Sequence, residues 1–198
     1  MSNTKTSLRQ NLIGDKAFYA RVFAIVLPIM IQNTITNVVS LLDNIMVGRV
    51  GTLQMSAVAI DNQLLFVFNL CIFGGLAGAG IFATQFAGAK DSNGVRHCFR
   101  IKLMIGFAML VVAAVVFLAL PSQLISMYLA QGTAPDAAEA TLKYGLSYLQ
   151  IMLVGLVPFT LSQVYSSTLR ELGETKIPMV SSIIAIVINL VFNYSKYC

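Results

Sequence analysis

Five long apolar runs constrain what this 198-residue chain can fold into. Each run supplies the roughly 20 apolar residues that a membrane-crossing helix requires. None alternates polar and apolar residues over short segments, as the strands of a membrane barrel would. The runs span residues of about 22–48, 57–89, 101–120, 143–169 and 177–195. We therefore predict an all-α integral membrane protein with five transmembrane helices.

Composition excludes the soluble classes of protein. Hydrophobic residues make up 57% of the chain and charged residues only 11%, whereas soluble domains carry about 25% charged residues. The three cysteines are widely spaced and no metal-ligand motif occurs, so we expect no cofactor and no metal ion other than a Na⁺ ion near Asp43. His97, the single histidine, is expected in a solvated loop, and no pair of catalytic groups is evident. We predict that the protein is not an enzyme and binds no nucleic acid.

The distribution of positive charge predicts the orientation in the bilayer. Ten of the 13 Lys and Arg residues lie on one side of the predicted spans, in segments 1–21, 90–102 and 170–176. Positively charged loops stay on the cytoplasmic side of a membrane. We therefore expect a cytoplasmic N-terminal segment at 1–21, a multi-pass transmembrane region at 22–195 in the cell membrane, and a short end at 196–198.

One face of the first span is polar. The subset Asn33, Thr36/Asn37, Ser40 and Asp43/Asn44 recurs at intervals of three and four, which places it on one side of a helix. Such a face cannot lie against lipid without cost, so it must contact other helices or a water-filled cavity. The polar residues of this run are Gln32, Asn33, Thr34, Thr36, Asn37, Ser40, Asp43 and Asn44.

Two acidic residues have different expected roles. An ionised Asp at the centre of a membrane helix costs about 2.5–3.5 kcal/mol, which a bound proton or cation would relieve. Asp43 is therefore either a proton or Na⁺ site in a cavity or an interfacial residue, since it lies toward one end of its run. Asp61 is expected to be a solvated acid at the start of the second span, where the helix dipole favours it.

Three further features concern helix packing and bending. Gly74 and Gly78 are four residues apart, which is typical of close packing between membrane helices. Pro28 lies inside the first span and can bend it. Asn189 and Asn193 share one face of the fifth span. The two amides either form hydrogen bonds between helices or line a cavity.

Four motifs occur in a specific order and spacing along residues 17–194. Together they resemble the MATE (multidrug and toxic compound extrusion) family. The motifs are Leu27-Pro28 followed by LLDNIMVGRVG (41–51), GGLAGAGIFATQFAGAKD (74–91), LRELGETKIP (169–178) and NLVFNY (189–194).

The resemblance implies a fold and a function. Family members have twelve helices in two six-helix lobes around a central cavity, and they export organic cations and drugs in exchange for H⁺ or Na⁺. It implies that Asp43, Asn189 and Asn193 occupy the ion-coupling site of the N-terminal lobe. It further implies that residues of the first helix line a cavity and that this helix bends at its proline. These lining residues are Pro28, Gln32, Thr36, Asn37 and Ser40.

The chain departs from the family pattern in two ways. Asn193 stands where members often carry an Asp, which leaves the choice between H⁺ and Na⁺ open. The sequence also ends in the fifth span, so we expect a truncated chain that corresponds to most of one lobe and lacks a C-terminal lobe. A lipid-linked saccharide flippase of the same superfamily is the alternative, although we expect no Arg or Lys within the uncharged stretches of the spans (103–120 and 144–169 among them) to hold pyrophosphate. An inert fragment without transport is a further alternative.

Overall fold

The computed structural model describes residues 14–49, 51–129 and 135–197, with side chains described up to residue 192. This part of the chain contains six helices and no strand, which confirms the predicted all-α class. The helices are α1 (Lys16–Gly48), α2 (Thr52–Gly88), α3 (Ser92–Ala119), α4 (Pro121–Tyr128), α5 (Pro135–Glu171) and α6 (Lys176–Tyr197).

Four of these helices are long and apolar enough to cross a membrane. They are α1, α2, α3 and α5, while α6 contains a shorter apolar stretch, Lys176–Phe192. The five predicted runs therefore coincide with the five long helices, in an integral membrane fold. Pro28 lies inside α1 and Pro158 inside α5, and both helices continue through their proline.

The helices extend further into polar sequence than hydropathy indicated. The link expected at 90–102 is much shorter, because α3 already begins at Ser92. Its N-terminus is capped by Asp91, whose Oδ1 accepts hydrogen bonds from the backbone N–H groups of Asn93 (3.0 Å) and Gly94 (3.1 Å). Such a cap satisfies donors that a helix leaves unpaired in its first turn. His97 is exposed as expected, but it lies on a helix and not in a loop.

The chain divides into two compact units. The first contains the described residues up to Val39 and those from Gly173 onward, which are most of α1 and all of α6. Within it, the Gln32 side-chain amide donates a hydrogen bond of 2.5 Å to the Ser182 hydroxyl, which joins α1 to α6. The second unit, Ser40–Leu172, contains the end of α1 and helices α2 to α5.

The core of the second unit lies where α2, α3 and α5 pack against one another, with α4 packed against all three. Buried residues of each helix recur mostly every three or four positions, so a single stripe of each helix is covered. Aromatic contacts join α2 to α5 and α3 to α5, with ring centroids 6.4 Å apart for Phe68 and Phe159 and 5.1 Å apart for Phe99 and Tyr165. The buried apolar cluster comprises Leu64, Phe68, Ile72, Leu76, Phe117, Ile125, Leu149, Leu156 and Val164.

The expected packing at Gly74 and Gly78 is not found within the described part of the chain. A Cβ atom built at either glycine meets nothing within 4 Å. Both residues face away from the buried stripe of α2, which runs through Leu76 and Gly80. Close approach instead occurs at Gly106 of α3, where a Cβ atom would lie 3.1 Å from Thr160 Cγ2 and 3.2 Å from Val164 Cγ2 of α5.

We predict that Gly106→Leu destabilises the chain and that Gly74→Leu does not. The leucine side chain introduced at position 106 would have to fit between α3 and α5, where even a single added methyl group would be crowded. Overpacking of this kind costs about 1–3 kcal/mol. The test is to measure the thermal unfolding midpoint of each purified variant in detergent, with circular dichroism as the probe of unfolding. Equal midpoints for the two variants would contradict the packing described here.

Candidate functional site

The polar face of α1 is partly covered and partly open. Gln32 is 9% exposed and is held by its hydrogen bond to Ser182. The Thr36 hydroxyl donates to the Gln32 carbonyl oxygen at 2.9 Å, a bond within the same helix. Thr36, Asn37 and Ser40 are all exposed. An open row of hydroxyl and amide groups therefore follows the one buried amide along this helix.

The three residues expected to form the ion-coupling site have separate environments. Asp43 is half-buried near the end of α1, in the second unit. Asn189 is exposed on α6, in the first unit. The side chain of Asn193 lies outside the described residues. Pro28, expected to line the cavity, is half-buried. Their assembly into one site stays a prediction.

Asp61 is buried, and the expectation that it is a solvated acid is wrong. Its side chain is 0% exposed, and both carboxylate oxygens have no hydrogen-bond partner among the described residues. The reason is the helix boundary: α2 begins at Thr52, so Asp61 lies more than two turns inside it. The sequence held a signal for this position, because Asp61 falls on the same stripe as Ala57, Leu64 and Phe68.

Helices α4 and α5 cover Asp61. Gly145 of α5 lies against it, since a Cβ atom there would be 3.6 Å from Asp61 Oδ2 and 3.0 Å from Ile125 Cδ1. Ile125 of α4 is itself 0% exposed. Tyr148 lies one turn further along α5.

A second buried charge lies between α3 and α5. Lys102 is 0% exposed, and its ammonium group lies 2.5 Å from each carboxylate oxygen of Glu171, which is 17% exposed. The Ser167 hydroxyl accepts a further bond from Lys102 Nζ at 3.2 Å. Gly80 of α2 makes room for the pair, because a Cβ atom there would collide with Glu171. The pair therefore joins three helices.

The position of Lys102 corrects the expectation that no Lys or Arg lies within the spans. The residue is on the stripe of α3 that also contains Gly94, Cys98 and Gly106, at intervals of four. This register was a signal that the residue is buried. The salt bridge to Glu171 neutralises its charge. Lys102 therefore does not supply a free cation that could hold the pyrophosphate of a flippase substrate.

Two amides add a polar contact between α2 and α5. The Gln163 amide nitrogen lies 3.5 Å from Asn69 Oδ1, the long limit of a hydrogen bond. Both side chains are half-buried. Neither Asn69 nor Gln163 was predicted from the sequence, although an amide within an apolar run is the same signal that identified the polar face of α1. No group of three His, Cys, Asp or Glu side chains able to hold a metal occurs in the described ranges.

The fold and its buried polar groups define a polytopic α-helical membrane protein. A family model described as MatE matches residues 28–195, and the chain belongs to this family. The resemblance inferred from the four motifs is thereby confirmed.

Several curated relatives carry the name probable multidrug resistance protein NorM. The one from Thermotoga maritima is 23% identical over 170 residues, which cover 85% of this chain and 35% of the relative. The one from Rhizobium meliloti is 30% identical over 164 residues, which cover 80% of this chain and 34% of the relative. The chain thus spans about a third of the length of these relatives. No solved structure matches it.

We predict that removing one partner of the Lys102–Glu171 pair lowers the stability of the folded chain. Removing both charges should lower the stability less. Loss of one partner from a buried pair costs about 3–5 kcal/mol, because a buried charge remains uncompensated. Glu171→Gln should therefore destabilise more than Lys102→Met, since Lys102 is fully buried whereas Glu171 retains some exposure. Unfolding midpoints of the purified variants test this order.

The double variant completes the test as a double-mutant cycle. Lys102→Met combined with Glu171→Gln should be more stable than Glu171→Gln alone. Glu174→Gln and Lys176→Met are the matched controls, because both residues are exposed. Glu174 lies just after the end of α5, and Lys176 is the first residue of α6. Strictly additive effects of the two substitutions would contradict a direct interaction.

Proposed function

We propose that this chain is the N-terminal lobe of a cation-coupled multidrug efflux antiporter, with Asp43 as the group that binds the coupling ion. The observation that carries the proposal is the half-buried carboxylate of Asp43 on a helix with an open polar face. Membership of the MatE family supports the transport class. The relatives named as probable multidrug resistance proteins support drugs as the substrates.

Exchange follows from competition for the negative charge of Asp43. The carboxylate attracts either the coupling ion or an organic cation, and binding of the ion removes the attraction for the drug. Such coupling requires each ligand to differ in affinity between two arrangements of the protein. By the family resemblance, Asn189 and Asn193 would supply neutral oxygen ligands for the coupling ion. Either H⁺ or Na⁺ is compatible with this group of side chains.

The drug would be bound by α1 and by apolar side chains. Asn37 and Ser40 offer exposed amide and hydroxyl groups, and the exposed hydroxyl oxygen of Thr36, which donates to the Gln32 carbonyl, can still accept a hydrogen bond. Apolar walls that can repack accept ligands of different shapes. A bend at Pro28 would allow the polar face to move relative to the rest of the helix.

We further propose that the protein resides in the plasma membrane with its N-terminus in the cytoplasm. The excess of Lys and Arg on one side of the helices supports this orientation. A second lobe would supply the other wall of the cavity, which agrees with the chain spanning about a third of its relatives. The flippase alternative receives no support from Lys102, whose charge is neutralised by Glu171.

We predict that Asp43→Asn lowers the rate of drug efflux, whereas Asp136→Asn does not. Asp136 is an exposed acid in the first turn of α5 and serves as the matched control. In efflux-deficient bacteria, cells expressing the chain should accumulate less of a fluorescent organic cation such as ethidium. The substitution of Asp43 should reduce the efflux rate at least about fivefold, the lower range of a coupling free energy.

Two results would contradict the proposal. Efflux that persists at the wild-type rate in Asp43→Asn would exclude this carboxylate as the coupling group. Accumulation equal to that of cells without the chain would identify the chain as an inert fragment on its own. If efflux occurs, proteoliposomes with either a pH gradient or a Na⁺ gradient distinguish the two coupling ions.

A further inference from the structure

We propose that Asp61 is a proton-binding carboxylate of this lobe, in addition to Asp43. In its protonated form the Asp61 side chain is a neutral carboxylic acid buried between α2, α4 and α5. Binding consists of adding one proton from solvent to the carboxylate, without any other co-reactant. Proton binding at Asp61 is independent of the proposed function, while its role in transport rests on that function.

The first argument is the lack of compensation for a negative charge. Asp61 is 0% exposed and neither carboxylate oxygen has a hydrogen-bond partner among the described residues. An ionised carboxylate that is buried without a donor or a counter-ion is far more costly than the neutral acid. The neutral form therefore fits this environment, and the ionised form does not.

The second argument is the nature of the groups around Asp61. Helix α4 contributes the aliphatic side chain of Ile125, and α5 contributes the backbone at Gly145. Among the described residues, Tyr148 of α5, one turn beyond Gly145, is a titratable group within electrostatic range of Asp61. None of the described Lys, Arg or His side chains forms an ion pair with Asp61, in contrast to Glu171, which is paired with Lys102.

Infrared spectroscopy of the purified chain in lipid nanodiscs tests the proposal directly. A protonated carboxylic acid has a C=O stretching band that is separate from the carboxylate and amide bands and that shifts in D₂O. We expect this band in the wild-type chain at neutral pH. It should persist in Asp43→Asn and in the control Asp136→Asn, and it should be lost in Asp61→Asn.

Two further measurements separate loss of the proton site from loss of the fold. Circular dichroism reports whether Asp61→Asn remains helical, and Asp61→Glu should retain the band at a shifted frequency. The thermal unfolding midpoint of the wild-type chain should fall as pH rises, because the folded state holds a proton that the unfolded state releases. The same dependence should be weaker in Asp61→Asn.

Three outcomes would overturn the proposal. The first is a wild-type chain without the band at neutral pH, and the second is a band that is unchanged in Asp61→Asn. The third is a wild-type band that disappears when K⁺ is replaced by Na⁺, which would make Asp61 a Na⁺ site. If the wild-type chain shows the carboxylic-acid band of Asp61 but no drug efflux, the result contradicts only the proposed function.

Discussion

Packing of α2 against α3 and α5 is the interaction on which the rest of the second unit depends. In lipid the backbone must satisfy its own hydrogen bonds, so helices form first and then associate through close contact of small and apolar side chains. The contact stripes are narrow. Any polar residue that falls on one of them is removed from both lipid and water, and Asp61 and Lys102 are in this position.

These two residues illustrate opposite consequences of burial. The charge of Lys102 is matched by Glu171 and bonded to Ser167, which makes it part of the contact between α3 and α5. Asp61 has no such partner among the described residues. A paired charge holds helices together, whereas an unpaired acid gains from binding a proton.

The helices, the all-α class and the polar face of α1 could be predicted from the sequence, because hydropathy and three-to-four spacing report them directly. The polar ends of the helices could not, since the start of α3 depends on the Asp91 cap and not on apolar residues. Asp61, Gly74 and Gly78 were misassigned for a related reason. Whether a residue lies on the buried side of a helix depends on the register of the whole helix. Neither the position of an acid near the start of an apolar run nor a pair of glycines four residues apart reveals that register.

The end of α5 has a mechanical consequence. Glu171 is held by Lys102, and two residues later Gly173 adopts φ +84°, a conformation that side chains rarely allow. Leu172 and Gly173 are also the residues at which the chain passes from the second unit to the first. The Lys102–Glu171 contact therefore fixes the last residue of α5 to α3 directly before the chain leaves the second unit.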